Sequence, residues 1–285
     1  MKLSFASLFT KFTLATAVAG TLAGCDEPEY ATPSPVTTSS VGQAQVLIVN
    51  ASPGTQGVTI TRDNAAFGMA LPYLGMSTTR SYTAMPAGQR LFIYNDPANI
   101  PATPTTAPAG TPPITTARSL VSRTSYLGGT SYTIFLTDAP TRAYAFPVTS
   151  SSDQGGIRSI TLTDNLNAPA AGNAKIRFVN LSPSGTYGIY NSVTMASLFS
   201  AVPNRAYRAT TNTSTAMPPV TTNFANFTEV AAGSYTLDVR STATTPIVGT
   251  QQVFTLAAGK IYTFYTRGIA NNTTTPLGIS VVEHN

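Results

Sequence analysis

Ala44-Gln45-Val46-Leu47-Ile48-Val49-Asn50-Ala51-Ser52-Pro53-Gly54 and Ala174-Lys175-Ile176-Arg177-Phe178-Val179-Asn180-Leu181-Ser182-Pro183-Ser184 are two versions of one segment, 130 residues apart. Each is a short run rich in β-branched and apolar residues. Each then closes on Asn, one variable residue and Ser-Pro. The run favours an extended strand, and Asn followed by Ser-Pro favours a turn out of it. Tyr132-Thr133-Ile134-Phe135 recurs as Tyr262-Thr263-Phe264-Tyr265 at the same offset, with Gly129 and Gly259 ahead of them at the same spacing. A third pair, Met85-Pro86-Ala87-Gly88 and Val230-Ala231-Ala232-Gly233, is offset by 145. An insertion accounts for the difference and is placed near Met217-Pro218-Pro219. The repeats predict two homologous domains, 44–165 and 174–285, joined by Leu166 to Asn173.

Further strands are expected at Arg90–Tyr94, Ser159–Thr163, Ser234–Val239 and Gly278–Val282, each bounded by Gly, Pro, Asn or Asp. Helical periodicity is scarce, and Met195 to Val202 is the best candidate for a single helical turn. Many short strands with this punctuation predict an all-β chain. The expected architecture is two tandem immunoglobulin/transthyretin-like antiparallel β-sandwich domains. Three long segments of low complexity, Asp96–Thr116, Pro140–Gly156 and Asn212–Asn223, read as loops, the first as disordered or solvated.

Before the repeats lies a segment of another kind. Lys2 and Lys11 precede an apolar or small-residue run, Phe12 to Ala23, too short for the ~20 residues a membrane-spanning helix needs. Residues 1–24 therefore read as a signal peptide. The stretch Leu22-Ala23-Gly24-Cys25 resembles the lipobox of bacterial lipoproteins. That resemblance implies cleavage before Cys25 and a diacylglyceryl thioether on it. Cys25 is the only cysteine, so no disulfide competes for it. Residues 25–43 would then be a lipidated tether rich in Pro, Ser and Thr.

The formal net charge of +5 falls to +3 once Lys2 and Lys11 leave with the peptide. The remaining basic residues are scattered and form no run, which argues against nucleic-acid binding. Only 9% of residues are charged, so Thr, Ser and Asn must cover the surface. His284 is the only histidine and sits one residue from the end, which leaves no base for a Ser or Cys nucleophile. No His/Cys cluster has metal spacing, and no glycine-rich phosphate loop occurs. The carboxylates Asp63, Asp96, Asp138, Asp153, Asp164, Asp238, Glu229 and Glu283 lie apart in sequence. Most adjoin turns or strand ends, where a surface role is expected. Asp63-Asn64 and Asp164-Asn165 lack the ligand run of a calcium loop. No catalytic, metal or cofactor site is expected, and the chain reads as a non-enzyme.

The strand-turn blocks Val49-Asn50-Ala51-Ser52-Pro53 and Val179-Asn180-Leu181-Ser182-Pro183 resemble the bacterial surface module called domain of unknown function 4397. Ala232-Gly233-Ser234-Tyr235 and Ala258-Gly259-Lys260-Ile261-Tyr262-Thr263 match its later motifs. The likeness is better in the second repeat, since Gly129-Thr130 and Gly88-Gln89 depart from the pattern in the first. The resemblance implies a sandwich fold and a secreted setting, and brings no activity. Structural reasons suffice for the shared residues: Asn50 and Asn180 for the turn, the glycines for positive φ, and Tyr132, Tyr235 and Tyr262 for a buried ring with its hydroxyl at the rim.

The sequence thus points to a cell-envelope lipoprotein, held to the membrane by its lipid anchor and serving as a non-enzymatic structural or interaction module. The alternative is a surface glycan-binding lipoprotein. Its partner would be an envelope protein or glycan, with no cofactor. Asp26, Glu27 and Glu29 after Cys25 resemble the acidic export signal of surface lipoproteins. Outer-membrane anchoring with the ectodomain facing outward is therefore expected, a periplasm-facing placement being the alternative.

Overall fold

The computed structural model describes residues 42–77, 81–147, 149, 153–242, 245 and 250–285. The expected signal peptide, the Cys25 expected to carry lipid and nearly all of the expected tether lie outside the described residues. The first half contains β1 (Gln43–Asn50), β2 (Thr59–Arg62), β3 (Ala65–Ala66), β4 (Thr83–Pro86), β5 (Gly88–Asn95), β6 (Leu120–Tyr126), β7 (Ser131–Thr137) and β8 (Arg158–Asp164). The second contains β9 (Asn173–Asn180), β10 (Tyr187–Asn191), β11 (Asn204–Arg205), β12 (Thr211–Thr213), β13 (Thr221–Asn223), β14 (Thr228–Ala231), β15 (Gly233–Arg240), β16 (Gln252–Leu256), β17 (Ile261–Arg267) and β18 (Gly278–Glu283). Among the described residues there is no helix, and Met195–Val202 forms turns and an isolated bridge.

Strand order repeats. The sheet β4-β1-β7-β8 has the counterpart β14-β9-β17-β18, and β3-β2-β5-β6 has the counterpart β11-β10-β15-β16. Among the described residues the two-stranded sheet β12-β13 has no counterpart in the first half. Its hairpin carries Met217 and Pro218 between its strands, where the repeat offsets place the insertion. The segment Asn212–Asn223, a loop by its composition, is thus largely this hairpin.

Among the described residues the named strands pair antiparallel except in one place per half. β1 runs parallel to β7 through Gln45↔Ser131 to Asn50↔Leu136, and β9 runs parallel to β17 in the equivalent register. The expectation of wholly antiparallel sheets is corrected here. The chain leaves β1, builds most of the opposite sheet, and re-enters beside β1 from the same end. Parallel neighbours need such a long crossover.

The central strands are buried on both faces. Val46, Ile48, Tyr132, Ile134 and Leu136 face one core with Phe92, Tyr94 and Tyr126. Ile176, Phe178, Tyr262 and Phe264 face a second core with Leu237 and Val239. The alternate residues Leu47, Val49 and Phe135 point the other way and meet Val179, Leu181, Tyr265 and Val282 in a third cluster shared by the halves. This period-2 division makes a stack of four sheets with three apolar layers.

The segment after β5, expected to be solvated, is pinned at its start. Asp96 is buried and accepts the N–H groups of Gln56, Gly57 and Ala98 at 2.8–2.9 Å. Asn99 is buried too, accepting Ile157 N at 3.0 Å and donating to the Arg118 carbonyl.

Candidate functional site

The shared motif residues are engaged within the fold. Asn50 Oδ1 accepts Ser52 N and Asn180 Oδ1 accepts Ser182 N, both at 3.1 Å. Asn50 Nδ2 donates to the Leu71 carbonyl at 3.0 Å, and Asn180 Nδ2 donates to the Arg205 carbonyl at 2.8 Å. Each asparagine thereby closes its own turn and ties down a neighbouring segment. Gly129 and Gly259 sit at φ 73° and 82°, in the left-handed region where a side chain costs energy. The Tyr132 and Tyr262 hydroxyls accept Leu127 N and Ala257 N at 2.9 and 3.2 Å, their rings buried. The Tyr235 hydroxyl donates to the Ala231 carbonyl at 2.7 Å.

A polar chain runs through the layer between the halves. Arg177 takes the place that Leu47 has in the first repeat, and its side chain is 0% exposed. Its Nη2 lies 2.5 Å from Asp164 Oδ1, and Nε donates to Thr263 Oγ1 at 2.7 Å. Nη1 reaches the Thr163 carbonyl at 3.0 Å, and the guanidinium stands 4.5 Å from the Phe227 ring centre. Asp164 Oδ2 accepts Thr133 Oγ1 at 2.7 Å and the Tyr82 hydroxyl at 2.8 Å. Tyr82 also meets His284 Nδ1 at 2.7 Å, and Thr263 Oγ1 meets His284 Nε2 at 2.6 Å.

Proton directions follow. An ionised carboxylate only accepts, so the single Tyr82 hydroxyl proton goes to Asp164 and His284 Nδ1 must donate to Tyr82. Thr263 accepts from Arg177 and gives its own proton to His284 Nε2. The geometry therefore assigns a neutral imidazole with its hydrogen on Nδ1. Burial first, and the Arg177 charge second, push the His284 pKa well below its ordinary value. Burial and the neighbouring Asp164 charge likewise raise the Tyr82 pKa. Arg177, Asp164, Thr133, Thr263 and His284 are buried and Tyr82 is partly buried, so the arrangement fastens two surfaces.

At another place between the halves, Asp138 is buried at φ 68°, with Arg142 Nε and Arg158 Nε each 3.1 Å from its Oδ2. Burial raises its pKa, opposed by Tyr207 and the arginines. Asp153 meets Arg142 at 2.7 and 2.8 Å, and that contact holds its pKa down to about 2.

Asp238 is buried against Arg240 at 2.6 Å and Ser192 at 3.0 Å. Asp63 meets Arg90 at 3.3 Å, Glu283 meets Lys260 at 3.2 Å, and Glu229 accepts Asn173 at 3.1 Å. The expectation that most carboxylates lie at the surface is corrected for Asp96, Asp138, Asp164 and Asp238. Asp96, Asp138 and Asp164 stand at strand ends and Asp238 lies within β15, and the packing that covers them is not revealed by sequence position alone. Among the described residues no group of three His, Cys, Asp or Glu side chains could hold a metal.

A cleft of about 260 Å³ opens in the second half, lined by Arg205, Phe199, Ser200, Thr222, Asn223 and Asn226 among others. A lone arginine in a scattered set reads as a solvated surface charge, but Arg205 is only 6% exposed. Its guanidinium is 4.1, 4.9 and 5.3 Å from the ring centres of Phe224, Phe199 and Phe178.

The class these observations define is an all-β protein of stacked, mostly antiparallel sheets. A family profile described as "Domain of unknown function (DUF4397)" matches residues 44–186, half of the chain, and the chain belongs to that family. The match covers the first half and ends just beyond Asn180-Leu181-Ser182-Pro183, whereas the motifs point more strongly to the second repeat. No curated protein sequence matches the chain. Among solved structures, one titled "The Bacillus anthracis TIE protein" is 10% identical with a TM-score of 0.19, over 80% of this chain and 50% of that one. The chain thus spans about half the length of that protein, and a superposition of this quality carries no inference about fold or function.

Proposed function

We propose that the chain is a membrane-anchored envelope lipoprotein whose ectodomain is a non-enzymatic structural or interaction module. It would comprise two tandem copies of the family domain, each an immunoglobulin/transthyretin-like sandwich, with lipid on Cys25 and the outer membrane as its seat. The observation that carries this reading is the layer between the halves. Each fully buried Leu, Val or Phe there contributes about 1.5–3 kcal/mol, and the sealed Arg177–Asp164 contact adds a geometric key. Two sheets spent on holding each other make a stiff spacer rather than a hinged cleft for chemistry. Recurrence of strand order and of the Asn-Xaa-Ser-Pro turns supports the two-copy reading.

Two measurements test the proposal. Labelled palmitate should enter the full chain in cells and should be absent from Cys25→Ala; incorporation into the variant would refute the anchor. Scanning calorimetry of the ectodomain should give one transition with equal calorimetric and van't Hoff enthalpies. Two separated transitions would refute the rigid spacer.

A further inference from the structure

Three buried arginines show how unlike Arg205 is to the others. Arg177 has Asp164 and Arg240 has Asp238, both in close contact. Among the described residues no carboxylate lies within 4 Å of Arg205. Its Nη1 donates to the Phe178 carbonyl, and its Nε is buried with no hydrogen-bond partner. Three aromatic faces supply partial compensation. The deficit shows in the pKa, which desolvation pulls down to about 9 and which still leaves the group charged at neutral pH.

The repeat supplies the comparison that makes this informative. Leu71 bridges to Val58, and its carbonyl takes the Asn50 amide. Arg205 pairs with Tyr187, and its carbonyl takes the Asn180 amide. Three residues later Leu74 and Arg208 both adopt positive φ, and both donate N–H to the carbonyl of the motif asparagine. Arg205 is therefore the positional equivalent of Leu71, an ordinary member of the first apolar core. A core position that accepts leucine in one half carries an unpaired cation in the other. Burying such a charge is costly, and the Phe178 carbonyl and the aromatic faces offset that cost only in part.

Among the described residues only the second half has the β12–β13 hairpin, and that hairpin supplies Thr221, Thr222 and Asn223 to the cleft Arg205 lines. Ser200, Asn226 and Thr228 add further hydroxyl and amide groups, and Phe199 adds an apolar face. One cation, several neutral hydrogen-bonding groups and one aromatic surface describe a site for a ligand with a single carboxylate and several hydroxyls. We propose that this cleft binds a hexuronic acid unit, its carboxylate on Arg205 and its hydroxyls on the Thr, Ser and Asn side chains, whether the unit is free or part of an acidic polysaccharide. A charge-assisted pair in so dry a place supplies most of the selectivity over the neutral sugar.

The test is calorimetric titration and thermal melting of the full chain with D-glucuronate, D-glucose, acetate and a short polygalacturonate. Glucuronate should bind and raise Tm, while glucose should bind at least tenfold more weakly and acetate should show little effect. A stronger response to polygalacturonate would mark the polymer as the source, and an equal response the free acid. Arg205→Leu, which installs the residue the first half carries at Leu71, should melt higher without ligand and lose the response to glucuronate. Asn226→Ala, an exposed change on the wall, should fold normally and weaken glucuronate severalfold. Equal binding of glucose and glucuronate, an acetate response matching that of glucuronate, or an unchanged response in Arg205→Leu would each overturn the proposal. An Arg205→Leu chain that fails to fold, together with an Asn226→Ala chain that binds glucuronate as the wild type does, would overturn it as well.

Discussion

Removing Asp164 should cost the protein far more than removing a surface carboxylate, and the geometry sets the size of the effect. Both Asp164 and Arg177 have fully buried side chains. In Asp164→Ala the Arg177 guanidinium keeps its bonds to Thr263 and to the Thr163 carbonyl but loses its counter-charge, while the Thr133 and Tyr82 hydroxyls lose their acceptor. Breaking a buried pair from one side costs about 3–5 kcal/mol. The Arg177–Asp164 contact is close but not aligned as a hydrogen bond, which places the expected loss near the lower end of that range. Arg177→Leu installs the residue that stands at position 47 but leaves the buried Asp164 without its cation, and should cost a comparable amount. The double variant should then be less damaged than the sum of the singles by about 1–3 kcal/mol. Urea denaturation of the four proteins, followed by far-UV dichroism, measures all terms of this cycle. Additivity within ~0.5 kcal/mol, or an Asp164→Ala chain within ~1 kcal/mol of wild type, would show that the pair is not the buried, coupled contact described above.

Because the His284 pKa is lower in the folded protein than in the unfolded chain, the unfolded chain takes up the proton first on acidification. Stability should be flat above pH ~7.5 and should fall as pH drops through ~6.5, by at most about 1.4 kcal/mol per pH unit from this group; denaturant midpoints that do not differ between wild type and His284→Phe in their pH dependence would contradict it. Gly129→Ala and Gly259→Ala, each at positive φ, should each lose about 1 kcal/mol, read from the midpoint of a melt. Replacing 214–220, between β12 and β13, with Asn-Gly should leave the fold intact and Tm within a few degrees, since this stretch is a hairpin end with exposed Met217 and Val220.

The central strands are legible because their residues repeat. Gln45–Val49, Ser131–Leu136, Lys175–Val179 and Lys260–Tyr265 fall within, or within one residue of, observed strands. The same residues carry a second signal that alternation alone does not capture. Val46 to Val49 and Tyr132 to Thr137 are buried without alternation, which is how a strand covered on both faces reads. That pattern announces a layer beyond the core of each half, and so the contact between the halves. The short strands β3, β11, β12 and β13 have two or three residues each and too little pattern to declare themselves. The polar chain is hidden for another reason. Asp164 and His284 occupy equivalent ends of β8 and β18, and Tyr82 and Phe227 equivalent places before β4 and β14, yet they share no chemistry a repeat search could find. Arg205 is hidden because Leu71-Pro72-Tyr73-Leu74 and Arg205-Ala206-Tyr207-Arg208 share a single residue and stand 134 apart.

The layer between the halves is built from matching surfaces, and Phe135 even packs on its own counterpart Tyr265, ring centres 5.4 Å apart. Surfaces so alike could in principle pair first half with first half, or second with second, across neighbouring chains. The unlike residues at equivalent points forbid both. Two second halves would bring together two Arg177 guanidiniums with no anion, and two first halves would bury Asp164 carboxylates with no cation. Only a first half against a second satisfies every charge, and the nearest second half is always the one eight residues further along the same chain, past Asn165–Gly172. The seam is in this sense addressed: its charges select an unlike half, and the short connection makes the half of the same chain the favoured partner.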